Sequence, residues 1–150
     1  MKSTPATGGG SRRVTFRDNA LKDITTNAFI FTLSYSAGSN IFTNAVNCSQ
    51  FHDITVKNVT VDNQGSSSTK AFLSVDGYAG TDTTLGYAET FQEAITFDTV
   101  QITGAKPSNI SRLKNSSFKN VTITNVTGGT TPWVISNSSA NTFTNVSPTP

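Results

Sequence analysis

Apolar and polar residues alternate in several short segments of the chain, which is the period of a β-strand. The pattern occurs in "VTFRDNALKDI" from Val14, "ITVKNVTVDN" from Ile54, "ITFDTVQITG" from Ile95, "VTITNVTGG" from Val121 and "FTNVS" from Phe143. Val, Ile, Thr and Phe dominate these segments, and all four residue types favour strands. No window combines helical periodicity with capping residues. The pattern therefore predicts an all-β protein.

The strand-like segments recur at spacings typical of a solenoid. Ile95 and Val121 lie 26 residues apart, and Val121 and Val146 lie 25 apart. The earlier repeats are longer, and we expect their extra length to form two loop insertions at about 35–50 and 76–90. Short strands repeated in this way favour a right-handed parallel β-helix of about four coils. The alternative is an antiparallel sandwich, which would require tight hairpin signals such as Asn-Gly between the strands.

Asparagine interrupts or ends most of these segments. Asparagine tolerates the left-handed backbone conformation that a sharp bend requires. We therefore expect corners of the solenoid at Asn19, Asn58, Asn63, Asn120 and Asn125.

Composition and charge exclude several classes of function. The net charge is only +2 and charged residues make up 13% of the chain, without a dense basic patch for nucleic acid. No apolar stretch is long enough to span a membrane. The single cysteine, Cys48, forms no internal disulfide and is interpreted as a buried or half-buried thiol, and His52 is the only histidine. We predict no nucleic-acid or membrane partner, no cofactor and no metal.

The chain begins "MKSTPATGGGSRRVTF", where no apolar run follows the charge as it would in a signal peptide. We divide the chain into a Gly-rich segment at 1–13 and β-helix coils at 14–150. With "AFIFTLSYS", this opening resembles the family 28 glycoside hydrolases, the polygalacturonases, and most closely their bacterial exo-acting branch. In that family an Arg-Ile/Met-Lys motif precedes a Gly-rich segment and "R-x-V-T-F". The letters "MK" match the end of that motif, and "ITVKNVTVDN", "SFKNVTITNVTG" and "TPW" continue the likeness.

The resemblance implies a fold of the pectin-lyase-like kind and two substrate-binding residues. Lys2 takes the place of the family's lysine, whose ammonium would face a galacturonate carboxylate. Tyr35 falls where the family carries a tyrosine that faces the same sugar. The alternatives are an ordinary terminal lysine and an ordinary loop aromatic. Arg12, Arg13 and Arg17 are interpreted as surface arginines, although they would also attract an acidic polysaccharide.

The family's catalytic groups have no counterpart in this chain. Family members use three aspartates, from an Asn-Thr-Asp motif and an Asp-Asp pair, and a histidine in Gly-His-Gly. None of these motifs occurs here, and no two acidic residues are adjacent. We therefore assign no catalytic residue and expect the C-terminal portion of a polygalacturonase-type enzyme, inactive alone. The alternatives are a non-catalytic binder of acidic polysaccharide and a purely structural β-helix. Family members are secreted or periplasmic, whereas this chain shows no signal peptide.

The same interpretation places an open coil at the N-terminal end of a truncated solenoid. A solenoid coil buries its apolar face on its neighbours, so an end without a cap leaves apolar residues exposed. We expect this end to carry Val14, Phe16, Phe29 and Phe31 and to pair with a second copy, which gives a homodimer. The alternative is that the segment "STPATGGGS" folds over the end as a cap.

Overall fold

The computed structural model describes residues 1–35, 45–63, 71–81, 85–129 and 131–150. This part of the chain contains ten strands and one 3-10 turn, and no α-helix. Residues 36–44 of the first predicted loop insertion and residues 82–84 of the second lie outside the described residues. In chain order the elements are the 3-10 turn Pro5–Thr7, β1 (Gly10–Lys22), β2 (Phe29–Thr32), β3 (Gln50–Asp62), β4 (Leu73–Asp76), β5 (Gln92–Ala105), β6 (Ser108–Ser111), β7 (Leu113–Lys114), β8 (Ser117–Val126), β9 (Trp133–Ser136) and β10 (Thr142–Ser147).

The strands form two sheets in which every strand pair is parallel. One sheet has the order β1-β3-β5-β8-β10, with the short β7 also paired to β5, and the other has the order β2-β4-β6-β9. The chain alternates between the two sheets, and each pass lies one strand further along both of them. This topology confirms the predicted right-handed parallel β-helix and is incompatible with the antiparallel sandwich.

The register of the stacked strands corrects one spacing inferred from the sequence. Val121 pairs with Val100, which lies 21 residues earlier, rather than with Ile95. Phe97 is aligned with Phe118, so "SSFKNV" rather than "VTITNV" is the equivalent of "ITFDTV". The sequence comparison failed here because both segments show the same period-two pattern, and a period-two pattern alone does not fix register.

A stack of aromatic rings fills the interior between the two sheets. The Phe97 ring stacks on the Phe118 ring with centroids 5.2 Å apart, and Phe118 stacks on Phe143 at 4.8 Å. Phe29 and Phe72 meet Phe97 edge to face at 5.7 and 6.5 Å. Offset-stacked and edge-to-face arrangements are the ones that the quadrupoles of aromatic rings favour. The stack therefore connects successive coils through their side chains as well as through the sheets.

The solenoid turns at columns of residues in the left-handed backbone conformation. One column crosses the five longest strands of the larger sheet, and its φ angles lie between 51° and 59°; it contains Asp18, Asn58, Thr99, Asn120 and Asn145. Asn125 has a φ of 54° in another column.

Two of the five predicted corner residues lack the predicted left-handed conformation. The first corner is at Asp18 rather than Asn19. Asn63 is buried and has no positive φ; its side chain accepts the Ile24 N–H at 2.7 Å and donates to the Gly104 carbonyl at 3.0 Å. It directly follows the end of β3 and bridges the coils before and after its own without the left-handed conformation.

The N-terminal end of the solenoid is open. β1 and β2 lie at the edges of their sheets at this end. Phe16 pairs with Val56, and Phe16 is 37% exposed whereas Val56 is 1% exposed. A cavity of about 440 Å³ lies beside them, lined mainly by apolar side chains that include Met1, Val14 and Phe31. Of the four apolar residues expected at this end, Phe16 is exposed and Val14 is half-buried, whereas Phe29 and Phe31 are buried. The core therefore reaches solvent only in part at this end.

Candidate functional site

Backbone hydrogen bonds hold the segment that carries Lys2 against the end of β2. The Thr32 N–H donates to the Met1 carbonyl at 3.2 Å, and the Ser3 N–H donates to the Thr32 carbonyl at 2.9 Å. The Tyr35 N–H donates to the Ser3 carbonyl at 3.2 Å. Lys2 itself forms a parallel bridge with Thr32. These contacts fix the backbone of Lys2 next to the chain that leads to Tyr35.

The structure brings the two sequence-predicted binding residues together. Lys2 Nζ lies 5.6 Å from the centroid of the Tyr35 ring, which is within the range of a cation–π contact. Lys2 is exposed and Tyr35 is 45% exposed, so both remain accessible to a ligand. The pair forms an accessible surface with one positive charge and one aromatic face. Its role in binding stays a prediction.

A cleft of about 480 Å³ opens beside Tyr35, within the volume range of small-molecule sites. The buried Leu33 and Tyr78 line it. The Ser34 hydroxyl, also in the lining, donates to the Asp76 carboxylate. The cleft thus combines apolar and aromatic surface with groups that hydrogen-bond hydroxyls.

The same cleft contains an arginine that the sequence analysis did not identify. Arg112 lines it, and its Nε donates to Glu89 Oε1 at 2.9 Å. Leu33, Gly77 and Arg112 directly follow equivalent positions of β2, β4 and β6. The second short strand of each repeat, "FIFT", "LSVD", "SNIS" and "WVIS", is the signal that would have located these residues. Only the longer strands were identified from the sequence.

A second cleft, of about 390 Å³, contains Cys48, His52 and Arg12. Burial raises the pKa of the Cys48 thiol, which is opposite to the shift that activates a nucleophilic cysteine. His52 Nδ1 lies 2.8 Å from Asp53 Oδ2. These observations favour the structural interpretation of Cys48.

Two carboxyl groups have pKa values below their ordinary range. The Asn58 amide, which donates to Asp18 at 2.7 Å, and then Arg17 lower the pKa of Asp18. The Thr99 hydroxyl, which donates at 3.0 Å, is the main cause of the lowered pKa of Asp98. A general acid for glycoside hydrolysis requires a raised pKa instead. Both groups are therefore stabilised as carboxylates.

The part of the chain that the structure describes shows neither a metal-binding cluster nor a membrane-spanning helix. No group of three or more His, Cys, Asp and Glu side chains there is arranged to hold a metal ion. No helix in the described ranges is long and apolar enough to cross a membrane.

The parallel β-helix is the architecture expected of a polygalacturonase-like protein. No family model matches the chain. The chain is 35% identical over 134 residues to an exo-poly-α-D-galacturonosidase of Dickeya chrysanthemi, an alignment that covers 88% of this chain and 21% of that protein. Its structure is similar to that of the family 28 exopolygalacturonase of Yersinia enterocolitica, with a TM-score of 0.71 and 33% identity over 98% of this chain and 23% of that one.

These similarities confirm the resemblance to family 28 glycoside hydrolases of the exo-polygalacturonase branch. The chain is homologous to part of such an enzyme and spans about a fifth of the length of the curated relative that it matches.

Proposed function

We propose that this chain is the C-terminal portion of a polygalacturonase-type hydrolase and that, alone, it binds galacturonan without cleaving it. The observation that carries the proposal is the position of Lys2 Nζ, 5.6 Å from the ring centroid of Tyr35, a residue that lines an open cleft. The names of the two relatives described above identify them as enzymes that act on galacturonan, and this supports the choice of ligand. The same resemblance suggests that the parent enzyme is secreted or periplasmic.

The chemistry of the pair suits an acidic sugar. The Lys2 ammonium is a point charge that attracts a carboxylate from many directions, and the face of Tyr35 offers a flat apolar surface to a sugar ring. Because both groups are solvent-exposed, water and salt screen their interactions with a ligand. The proposed site is therefore weak and salt-sensitive.

We expect Lys2→Ala and Tyr35→Ala each to weaken the binding of trigalacturonate by up to about fivefold, the effect of losing one exposed contact. Added sodium chloride should weaken binding to the unmodified chain and should affect Lys2→Ala less, because that variant lacks the screened charge. Isothermal titration calorimetry at low and high salt measures both effects.

Lys106→Ala is the matched control for this experiment, because Lys106 is also exposed but lies beside Gly128, away from the cleft. Its affinity for trigalacturonate should equal that of the unmodified chain. Equal affinities in Lys2→Ala, Tyr35→Ala and Lys106→Ala would remove the site assignment. Absence of binding to the unmodified chain would favour a purely structural β-helix.

We expect the purified chain to release no galacturonic acid from polygalacturonate above background. The sequence lacks the family's aspartate motifs, and the downward pKa shifts of Asp18 and Asp98 suit neither residue to the role of general acid. A reducing-sugar assay measures the release. Turnover that persists through purification and disappears in Asp76→Asn, which changes the carboxylate in the cleft, would contradict the expectation.

A further inference from the structure

The cleft beside Tyr35 crosses three successive coils of the solenoid. Tyr35 follows β2, Asp76 ends β4, and Arg112 follows β6. Neighbouring parallel strands lie about 4.8 Å apart, so the backbone positions that follow β2 and β6 are separated by about 10 Å. A ligand bound over Tyr35 that also reaches Arg112 must therefore extend along the solenoid axis. An oligosaccharide has this shape, whereas a single sugar does not.

Arg112 retains the donors that a carboxylate requires. Its Nε donates to Glu89 Oε1 at 2.9 Å and its Nη1 donates to the Ser111 hydroxyl at 3.1 Å. A guanidinium carries five N–H donors, so these two bonds leave three, including both on Nη2. Planar pairs of N–H donors bind carboxylates in a bidentate manner. The Arg112 side chain is 19% exposed, and the contacts with Glu89 and Ser111 restrict its orientation before a ligand arrives.

The other polar groups of the cleft complement this charge. Asp76 accepts the Ser34 hydroxyl, and its remaining acceptor capacity suits sugar hydroxyls. The carboxylate of Asp76 repels a ligand carboxylate at the same place. Among the described residues that line this cleft, Arg112 is the cationic one. The charges therefore direct hydroxyls toward Asp76 and an acidic group toward Arg112.

We propose that Arg112 is a substrate-positioning residue that binds the carboxylate of a further uronate unit in a saccharide whose first unit lies on Lys2 and Tyr35. This inference rests on the proposed function. It predicts that the cleft distinguishes an oligogalacturonate from a single galacturonate, and a free carboxylate from its methyl ester.

The test compares galacturonic acid, trigalacturonate and fully methyl-esterified trigalacturonate by calorimetry. Arg112→Asn is the preferred variant, because Arg112 has a φ of 57° and Asn137 occupies the equivalent corner of the next coil with a φ of 45°. We expect Arg112→Asn to weaken trigalacturonate binding about tenfold, as the loss of charged hydrogen bonds does. Arg112→Asn should leave the binding of galacturonic acid unchanged. The variant should also prefer trigalacturonate over its methyl ester less strongly than the unmodified chain does.

The outcomes separate this inference from the proposed function. If Lys2→Ala weakens trigalacturonate binding and Arg112→Asn does not, the role of Arg112 is overturned while the proposed function stands. If the unmodified chain binds none of the three saccharides, both are overturned. Circular dichroism checks the fold of each variant.

If Arg112→Asn does not fold, the variant Glu89→Gln tests the role of Arg112 instead. It removes the negative partner of Arg112 and keeps the guanidinium. Tighter binding of trigalacturonate by Glu89→Gln supports the inference, and unchanged or weaker binding overturns it.

Discussion

Replacing Phe97 with alanine should lower the free energy of unfolding by about 3–5 kcal/mol, the usual cost of removing a large buried aromatic side chain. Phe97 is fully buried, and its ring contacts the rings of Phe118, Phe29 and Phe72. The substitution leaves a cavity between stacked strands, and the backbone hydrogen bonds of these strands fix their separation. The coils therefore have little freedom to collapse into the cavity. Natural domains are stable by only about 5–15 kcal/mol, so this one substitution removes a large part of the total.

Urea unfolding followed by circular dichroism measures the effect. Thr122→Val is the control, because Thr122 is exposed on β8 and the substitution nearly preserves volume; its free energy of unfolding should change by less than about 0.5 kcal/mol. A loss of under about 1 kcal/mol in Phe97→Ala would show that the core repacks around the missing ring. In that case the aromatic stack does not hold the coils together.

The sequence was sufficient to predict the fold class because the apolar residues of the longer strands alternate with polar ones and repeat along the chain. The short strands of the second sheet were missed. A strand such as β6, "SNIS", buries Ser108 and Ile110, and four residues with one large apolar side chain give no detectable period. A weak apolar pattern also explains why "VTITNV" rather than "SSFKNV" was aligned with "ITFDTV". Phe118 stacks in the core, but the polar Ser116 and Ser117 that precede it weaken the alternating pattern of this strand.

The candidate site was predictable only where a motif marks it. Lys2 and Tyr35 were identified through the likeness to family 28, and the structure adds their proximity. Arg112 and Asp76 lie in the cleft because the coils are stacked in a particular register, and they are 36 residues apart in sequence. No local pattern relates them. Such a cluster becomes visible only when the number of residues in each coil is known.

We propose that the open N-terminal end associates with a second copy of the chain. At this end β1 is the terminal strand of its sheet, and a free strand edge invites pairing with another chain. The outer edge of β2 is partly covered, because residues 1–3 already pair with it. The cavity of about 440 Å³ at this end is lined by Met1 but by none of residues 3–11. The Ser49 N–H instead donates to the Pro5 carbonyl at 3.0 Å, which holds that segment beside β3. The described contacts thus favour a second copy over a cap formed by this segment.

Size-exclusion chromatography with light scattering, from low to high micromolar concentration, should show a species of twice the monomer mass of 15.9 kDa. Phe16→Glu should shift the chain to monomer, because it places a charge on the apolar surface that the second copy covers. Val134→Glu is the matched control: Val134 is 50% exposed on β9, at the other end of its sheet, and its substitution should leave the dimer intact.

Because burial of apolar surface drives the association, added sodium chloride should not dissociate the dimer. A monomer at every concentration would rule out the dimer, and dissociation by Val134→Glu rather than Phe16→Glu would move the interface to the opposite end.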